Sequence, residues 1–287
     1  MFRRRALPSA VVMDPRRHLT RRNLLRAAGA GAVLAAADGF GLEPYWLEVT
    51  THTLPVADLP TALEGLTIAQ ITDAHLSRLG RVEDEILAAV RQADAALVVL
   101  TGDLIDDMAD APPLAELCAE LRRGGAEVVA TLGNWERWNN LPVDELGAVY
   151  QRSGATLLID QWHPCEVGGV TLYASDDSTG GGPRPLQANP DGPAPVEILL
   201  THSPAFIDDA AVPDLSFDLC LAGHTHGGQV TALGWPPLLP EGSGRFVAGW
   251  YDSAQGPAYV SRGTGTSLIP VRFFCRPELP LIRLTRA

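Results

Sequence analysis

An α/β fold built on parallel strands is what this sequence predicts, and three observations carry the prediction. Short apolar runs rich in Val, Ile, Leu and Thr recur at 66–72, 97–101 and 128–132. Between them, 83–93 and 113–123 combine helix-forming residues with helical apolar spacing. Each run ends at a candidate ligand, Asp73 directly and Asp103 and Asn134 after a single glycine. Strands and helices alternating at this length imply βαβ units, and such sheets form their sites beyond the carboxyl ends of the strands. Fragments far apart in sequence then meet at one sheet edge.

Residues 1–37 stand apart from that pattern. Thr20-Arg21-Arg22-Asn23-Leu24-Leu25-Arg26 has a twin-arginine pair, and an Ala-rich stretch at 27–37 ends in Ala35-Ala36-Ala37. A basic segment, an apolar stretch and small residues in this order predict an export signal of the twin-arginine kind. The stretch is too short and too rich in Gly and Ala to fill a hydrocarbon core about 30 Å thick. Membrane contact is expected only through an uncleaved signal or a lipid substrate. The protein is therefore expected to use the twin-arginine machinery and to work in the periplasm, envelope or medium. His18 belongs to this segment, and residues 38–287 are read as a single domain.

Charge sharpens the division. The chain carries −12 overall, with no lysine; residues 1–37 hold eight arginines against Asp14, which leaves −19 on the remainder. A body that acidic repels nucleic acid and gains nothing from counterion release. The 46% hydrophobic content is ample for a packed core. Cys118, Cys165, Cys220 and Cys275 are widely spaced, with no Cys-x-x-Cys pair. An exported protein with an even count permits disulfides, but folding in a reducing cytoplasm before export favours buried free thiols.

Further apolar runs at 170–174, 197–201 and 219–222 extend the strand series. The Gly-, Pro- and Asp-rich stretches 176–195 and 234–244 are loops, each either part of a binding rim or a tolerated surface insertion.

Five fragments carry the chemistry: Asp73-Ala74-His75, Gly102-Asp103, Gly133-Asn134, His202 and Gly223-His224-Thr225-His226. Two Asp, one Asn and four His suit two borderline divalent cations, Mn, Fe or Zn, sharing one carboxylate. A single Asp could cap a helix and a single His could be structural; the ordered set of five is what points to a metal site. His52 and His163 lie outside every fragment and are not expected to be ligands.

In this order the fragments, with Gly-His-Thr-His-Gly-Gly at 223–228, resemble the blocks of the calcineurin-like metallophosphoesterases, most closely an exported bacterial subgroup. The resemblance runs from about residue 43 to the C-terminus. It implies a four-layer α/β/β/α sandwich of two mixed sheets. It also implies that Asp73, His75 and His226 bind one metal, that Asn134, His202 and His224 bind the other, and that Asp103 bridges them. Water between two such cations loses a proton near neutral pH and would attack phosphorus in line. Regular strand geometry would make His224 and His226 diverge, so a Gly-flanked turn is expected to send one to each metal.

One position departs from the family. Where its members usually read Gly-Asn-His-Asp or Gly-Asn-His-Glu, this chain reads Gly133-Asn134-Trp135-Glu136. An indole N–H donates a hydrogen bond but transfers no proton near neutral pH. Asp106 matches an acidic position that pairs with the missing His in some relatives, so its partner is expected to be absent. General-acid help is worth about 10²–10⁴-fold, and its loss favours pyrophosphate bonds, activated diesters or lipid-linked diphosphates, whose leaving groups need none. Trp135 and Trp138 either stack on substrate or anchor a loop. Arg262 either meets a substrate phosphate or forms an ion pair. The runner-up function is a metal-bearing but weakly active or inactive protein that binds phosphorylated envelope components.

Overall fold

The computed structural model describes residues 20–209, 215–232 and 234–287. The basic start of the segment predicted to be an export signal, with His18, lies outside them. Among the described residues there are twelve strands in two six-stranded sheets.

The first sheet is ordered β1 (Glu48–Val56), β12 (Glu278–Arg286), β2 (Thr67–Ile71), β3 (Leu97–Thr101), β4 (Glu127–Thr131) and β5 (Thr156–Leu157). Its pairs are parallel except β12 with β2. The second sheet is ordered β10 (Gly249–Ser253), β11 (Gly256–Val260), β9 (Leu219–Ala222), β8 (Val196–Leu200), β7 (Val170–Ala174) and β6 (Gln161–Pro164). Hairpin pairs β10–β11 and β6–β7 are antiparallel and the rest parallel, so both sheets are mixed.

Strand alternation builds the layers. In β3, Leu97 and Val99 face the second sheet, while Val98 and Leu100 face the helices. Both faces are covered, which is why these strands read as continuous apolar runs instead of alternating ones. Helices α2 (Arg81–Gln92), α3 (Ala111–Arg123) and α5 (Val143–Arg152) pack Ile86, Leu117 and Leu146 on that outer face. Ile68, Leu97 and Val129 meet Leu172, Ile198 and Leu221 between the sheets. The fourth layer is thin: Phe206 and Ile207 of the 3₁₀ turn Pro204–Asp208, with Phe217 and Phe246 from loops, cover Leu199, Cys220 and Val260. All four cysteines are buried and free.

Helix α1 (Arg21–Gly41) spans most of the described part of the predicted signal and runs past the boundary expected at 37/38. Thr20 caps it, accepting from the Asn23 N–H. Gly39 is its one buried residue, and the Gly39 carbonyl accepts from the Arg272 N–H at 2.9 Å. No helix among the described residues is long and apolar enough to cross a membrane.

Candidate metal centre

Beyond the ends of β2, β3, β4, β8 and β9 the five fragments converge. α4 (Asn134–Trp138) starts directly after β4 and carries Asn134 and Trp135. The turns between strand and ligand are tight. Asp73, His75, Asp103, His224 and His226 all have φ between 43° and 72°, a left-handed region that costs non-glycine residues of order 1–3 kcal/mol each. Strain at five of seven candidate ligands implies that the surrounding contacts dictate their positions. Two glycines show how closely the turns approach. A Cβ on Gly133 would collide with the Asp103 carboxylate, and one on Gly223 with Thr72 Oγ1 and Asp73. This is a physical reason for Gly before both Asn134 and His224.

His202 Nδ1 lies 2.8 Å from the Thr101 carbonyl, so it donates there and Nε2 faces inward. His224 Nε2 donates to the Glu241 carbonyl, at 2.5 Å, which turns its Nδ1 lone pair inward. Those two nitrogens are 3.3 Å apart. Asn134 Oδ1 lies 2.9 Å from His202 Nε2 and 2.7 Å from His224 Nδ1, and Asp103 Oδ2 lies 3.1 Å from His202 Nε2. Four potential ligand atoms thus converge. Asp103, His202 and His224 offer ligand atoms within 4.8 Å of one another, all buried.

The remaining residues form a looser set on the other side of Asp103. His75 Nε2 is 3.9 Å from Asp103 Oδ2, and His226 Nε2 is 3.4 Å from Asp73 Oδ1. The two imidazoles stack with centroids 5.3 Å apart. His75 Nε2 and His226 Nδ1 are buried without a hydrogen-bond partner. The turn through His224 and His226, both at positive φ (72° and 48°), sends His224 towards Asn134 and His226 towards Asp73. The divergence expected of a strand is resolved by that turn. Asp73 also accepts the His224 N–H, at 2.9 Å, tying the two sets together.

Electrostatics match this division. Burial would lower the pKa of His202, but Asp103, Asp73 and Asp177 hold it well above its usual value. His75 is raised against burial by its hydrogen bond to Asp106 and by Asp103, Asp106 and Asp73. Burial lowers His224, aided by His202, and lowers His226, aided by His75. Against its own burial, Asp103 is held down by His202 and His75. A field that raises two buried histidines is a field that attracts a cation. Together with the converging ligand atoms, it shows that these residues fit a divalent metal.

Several positioning groups were not legible in the sequence. Asp106 has Trp135 where the family's His partner would stand, but its Oδ1 accepts from His75 Nδ1 at 2.7 Å, an imidazole–carboxylate pairing that turns Nε2 towards Asp103. Spacing gave no hint of it, because the pair spans two strand ends. Glu136 is buried and accepts backbone N–H bonds from Gly133 (2.9 Å), Asp103 (3.0 Å) and Leu104 (2.7 Å). Burial and the adjacent Asp103 push its pKa up to about 7. Buried Asp177 accepts from Thr179, Gly180 and Ser203, fixing the start of loop 176–195 beside His202. Loop 234–244 reaches the site through the Glu241 carbonyl.

Arg262 is an ion-pair residue, held by Glu278 (3.1 Å) and Glu48 (2.8 Å). His163 pairs with Glu127, and His52 packs on Trp250 and Tyr259, outside the site. The Trp135 ring stands perpendicular to His75 with centroids 5.7 Å apart, and its backbone N–H donates to Asp103 Oδ1 at 2.8 Å.

Similarity to known proteins agrees with this geometry. The chain is 29% identical over 301 residues to the uncharacterized metallophosphoesterase YkuE of Bacillus subtilis, covering 93% of this chain and 98% of that one. It is 29% identical over 279 residues to phosphodiesterase YaeI of Escherichia coli, covering 93% and 99%. A transmembrane protein with metallophosphoesterase domain from Bos taurus is 30% identical over 258 residues, covering 83% of this chain and 57% of its own length. Among solved structures, a dimetal phosphatase from Danio rerio aligns with 70% of this chain and 88% of its own at a TM-score of 0.43 and 13% identity. The calcineurin-like phosphoesterase pattern matches residues 66–228, which hold all seven candidate ligands. The chain belongs to the calcineurin-like metallophosphoesterases and is a metal-dependent phosphoester hydrolase.

Proposed function

We propose that the protein is a dinuclear phosphodiesterase or pyrophosphatase. The observation that carries this is the convergence of His202 Nε2, His224 Nδ1, Asn134 Oδ1 and Asp103 Oδ2, four atoms able to ligate a cation. Asn134, His202 and His224 would hold one ion, Asp73, His75 and His226 the other, with Asp103 between. When bound, two divalent cations of the Mn, Fe or Zn type supply Lewis acidity at the phosphoryl oxygens and lower the pKa of water into the neutral range. The chain's own groups orient the ligands: Thr101 and Glu241 carbonyls select the tautomers of His202 and His224, Asp106 that of His75, and Glu136 fixes the turn bearing Asp103.

Trp135 supplies no proton, and Asp106 is already engaged by His75. Substrates with stable leaving groups, such as pyrophosphate bonds, activated diesters or lipid-linked diphosphates, fit that arrangement. The same observation favours a second reading, a metal-bearing binding protein for phosphorylated envelope components. Metal analysis followed by a hydrolysis panel separates the two. About two metals per chain with turnover of bis-p-nitrophenyl phosphate supports the enzyme, metals without turnover the binding protein, and a metal-free protein that takes up none refutes both. Export by the twin-arginine route rests on Arg21-Arg22 and the apolar stretch behind them; replacing the pair by lysines should strand the protein in the cytoplasm.

A further inference from the structure

Arg272 is the largest side chain that is fully buried among the described residues. A buried cation is costly unless charges or hydrogen bonds compensate it. Here five hydrogen bonds to oxygen do so, all ending on backbone carbonyls and none on a carboxylate. Nε donates to Gly265 (2.9 Å) and Nη1 to Cys275 (3.1 Å). Nη2 donates to Arg262 (2.8 Å), Gly263 (3.1 Å) and Gly265 (2.6 Å). Only a planar guanidinium offers so many donors in one rigid fork.

The loop gathered in this way lies against the looser set of candidate ligands. Its carbonyls point at Arg272 and its N–H groups the other way. Thr264 donates to the Thr72 carbonyl at 3.0 Å, and Gly265 to the Asp73 carbonyl at 2.8 Å. Gly263, at φ 71°, packs so closely that an added Cβ would stand 2.6 Å from the Asp73 Cβ. Asp73 is thereby clamped through backbone and side chain, in a turn whose φ of 52° is strained.

A second path reaches His226. The Cys275 carbonyl accepts from Arg272, and the Cys275 thiol donates to the His226 carbonyl at 3.2 Å. Asp73 and His226, on opposite sides of the chain's fold order, therefore depend on one guanidinium. The tighter set is oriented by other groups, the Thr101 carbonyl for His202 and the Glu241 carbonyl for His224.

We infer, on the dinuclear reading, that Arg272 is a positioning residue for one ion only, that of Asp73, His75 and His226. It acts by holding loop 262–265 and Cys275 against Asp73 and His226. The two ions are then separable, because a change at Arg272 loosens one set of ligands and leaves the other in place.

The test dialyses the full chain against a series of Mn²⁺ concentrations and counts bound metal by mass spectrometry. The thermal midpoint in chelator is measured alongside. Wild type should take up about two ions. Arg272→Lys keeps the charge but loses the fork. It should hold one ion as wild type does, while the other weakens by at least about tenfold, as when a group supporting a ligand is removed. A purely structural arginine would lower the midpoint and leave both ions bound, or weaken both alike; either result overturns the proposal. Gly263→Ala leaves Arg272 in place but drives a methyl against Asp73, so it should weaken the same single ion. That variant decides the matter if Arg272→Lys does not fold, and both ions retained or both weakened alike then overturns the proposal. If neither variant folds, Arg272 and its loop hold the domain as a whole, and the proposal is overturned. Wild type that binds fewer than about two ions refutes the dinuclear reading and this proposal with it. Wild-type binding by both variants refutes this proposal alone.

Discussion

Replacing Glu136 by glutamine tests how the turn bearing Asp103 is held. The side chain keeps its shape, but one oxygen becomes an NH₂ group. If the remaining oxygen keeps the 2.7 Å bond to Leu104, the amide nitrogen faces the N–H groups of Gly133 and Asp103, formerly 2.9 and 3.0 Å from the carboxylate. Each buried N–H left unsatisfied costs about 1–3 kcal/mol, so the pair costs about 2–6 kcal/mol. That is a large share of the roughly 5–15 kcal/mol that stabilises a domain. With a urea m-value of about 3 kcal/mol/M, the midpoint should fall by roughly 1–2 M. Measurement at pH 8, above the Glu136 pKa of about 7, keeps the wild-type carboxylate ionised. Asp103 would also lose its positioning, so kcat on bis-p-nitrophenyl phosphate should fall by more than about tenfold at saturating metal. A variant with wild-type midpoint and kcat would show that Glu136 does not hold the turn.

Three other perturbations probe separate claims. Asp103→Asn should abolish turnover and lower metal content measured by mass spectrometry, because it neutralises the carboxylate between the two ligand sets; wild-type turnover would misplace the bridge. Trp135→His should raise hydrolysis of diesters with alkoxide-like leaving groups by about tenfold, roughly 1.4 kcal/mol, and leave p-nitrophenolate release nearly unchanged. An equal change for both classes would make Trp135 a packing or stacking residue and remove the leaving-group argument. Glu278 is buried, and despite that burial Arg262 and the Tyr259 hydroxyl hold its pKa below the usual 4.5. Its contribution to stability is therefore present above about pH 4.5 and lost as pH falls through the lower folded-state pKa. Glu278→Gln should flatten the acid limb of the stability profile, and unchanged acid sensitivity would refute the linkage.

The sequence by itself determined the central strands, two of the helices and the seven candidate ligands. The apolar runs at 66–72, 97–101 and 128–132 became β2, β3 and β4 within about two residues, because strands buried on both faces must be apolar throughout. The predicted helices at 83–93 and 113–123 became α2 and α3, each starting two residues earlier. Gly before Asp103, Asn134 and His224 was legible as a motif, but only packing showed that Gly133 and Gly223 leave room for a neighbouring carboxylate.

Only the tertiary structure decided the rest. β1 and β12 lie at opposite ends of the chain and pair over nine residues, a partnership no local pattern encodes. Ligand orientation depends on long-range acceptors: the Thr101 carbonyl for His202, the Glu241 carbonyl for His224 and Asp106 for His75. Local spacing states which residues are available, whereas a hydrogen bond between strand ends states which atom of each faces inward. The meeting of Gly39, Thr231 and the 272–273 segment was equally hidden, since they come together only when β12 returns to the first sheet and brings the loop before it against α1.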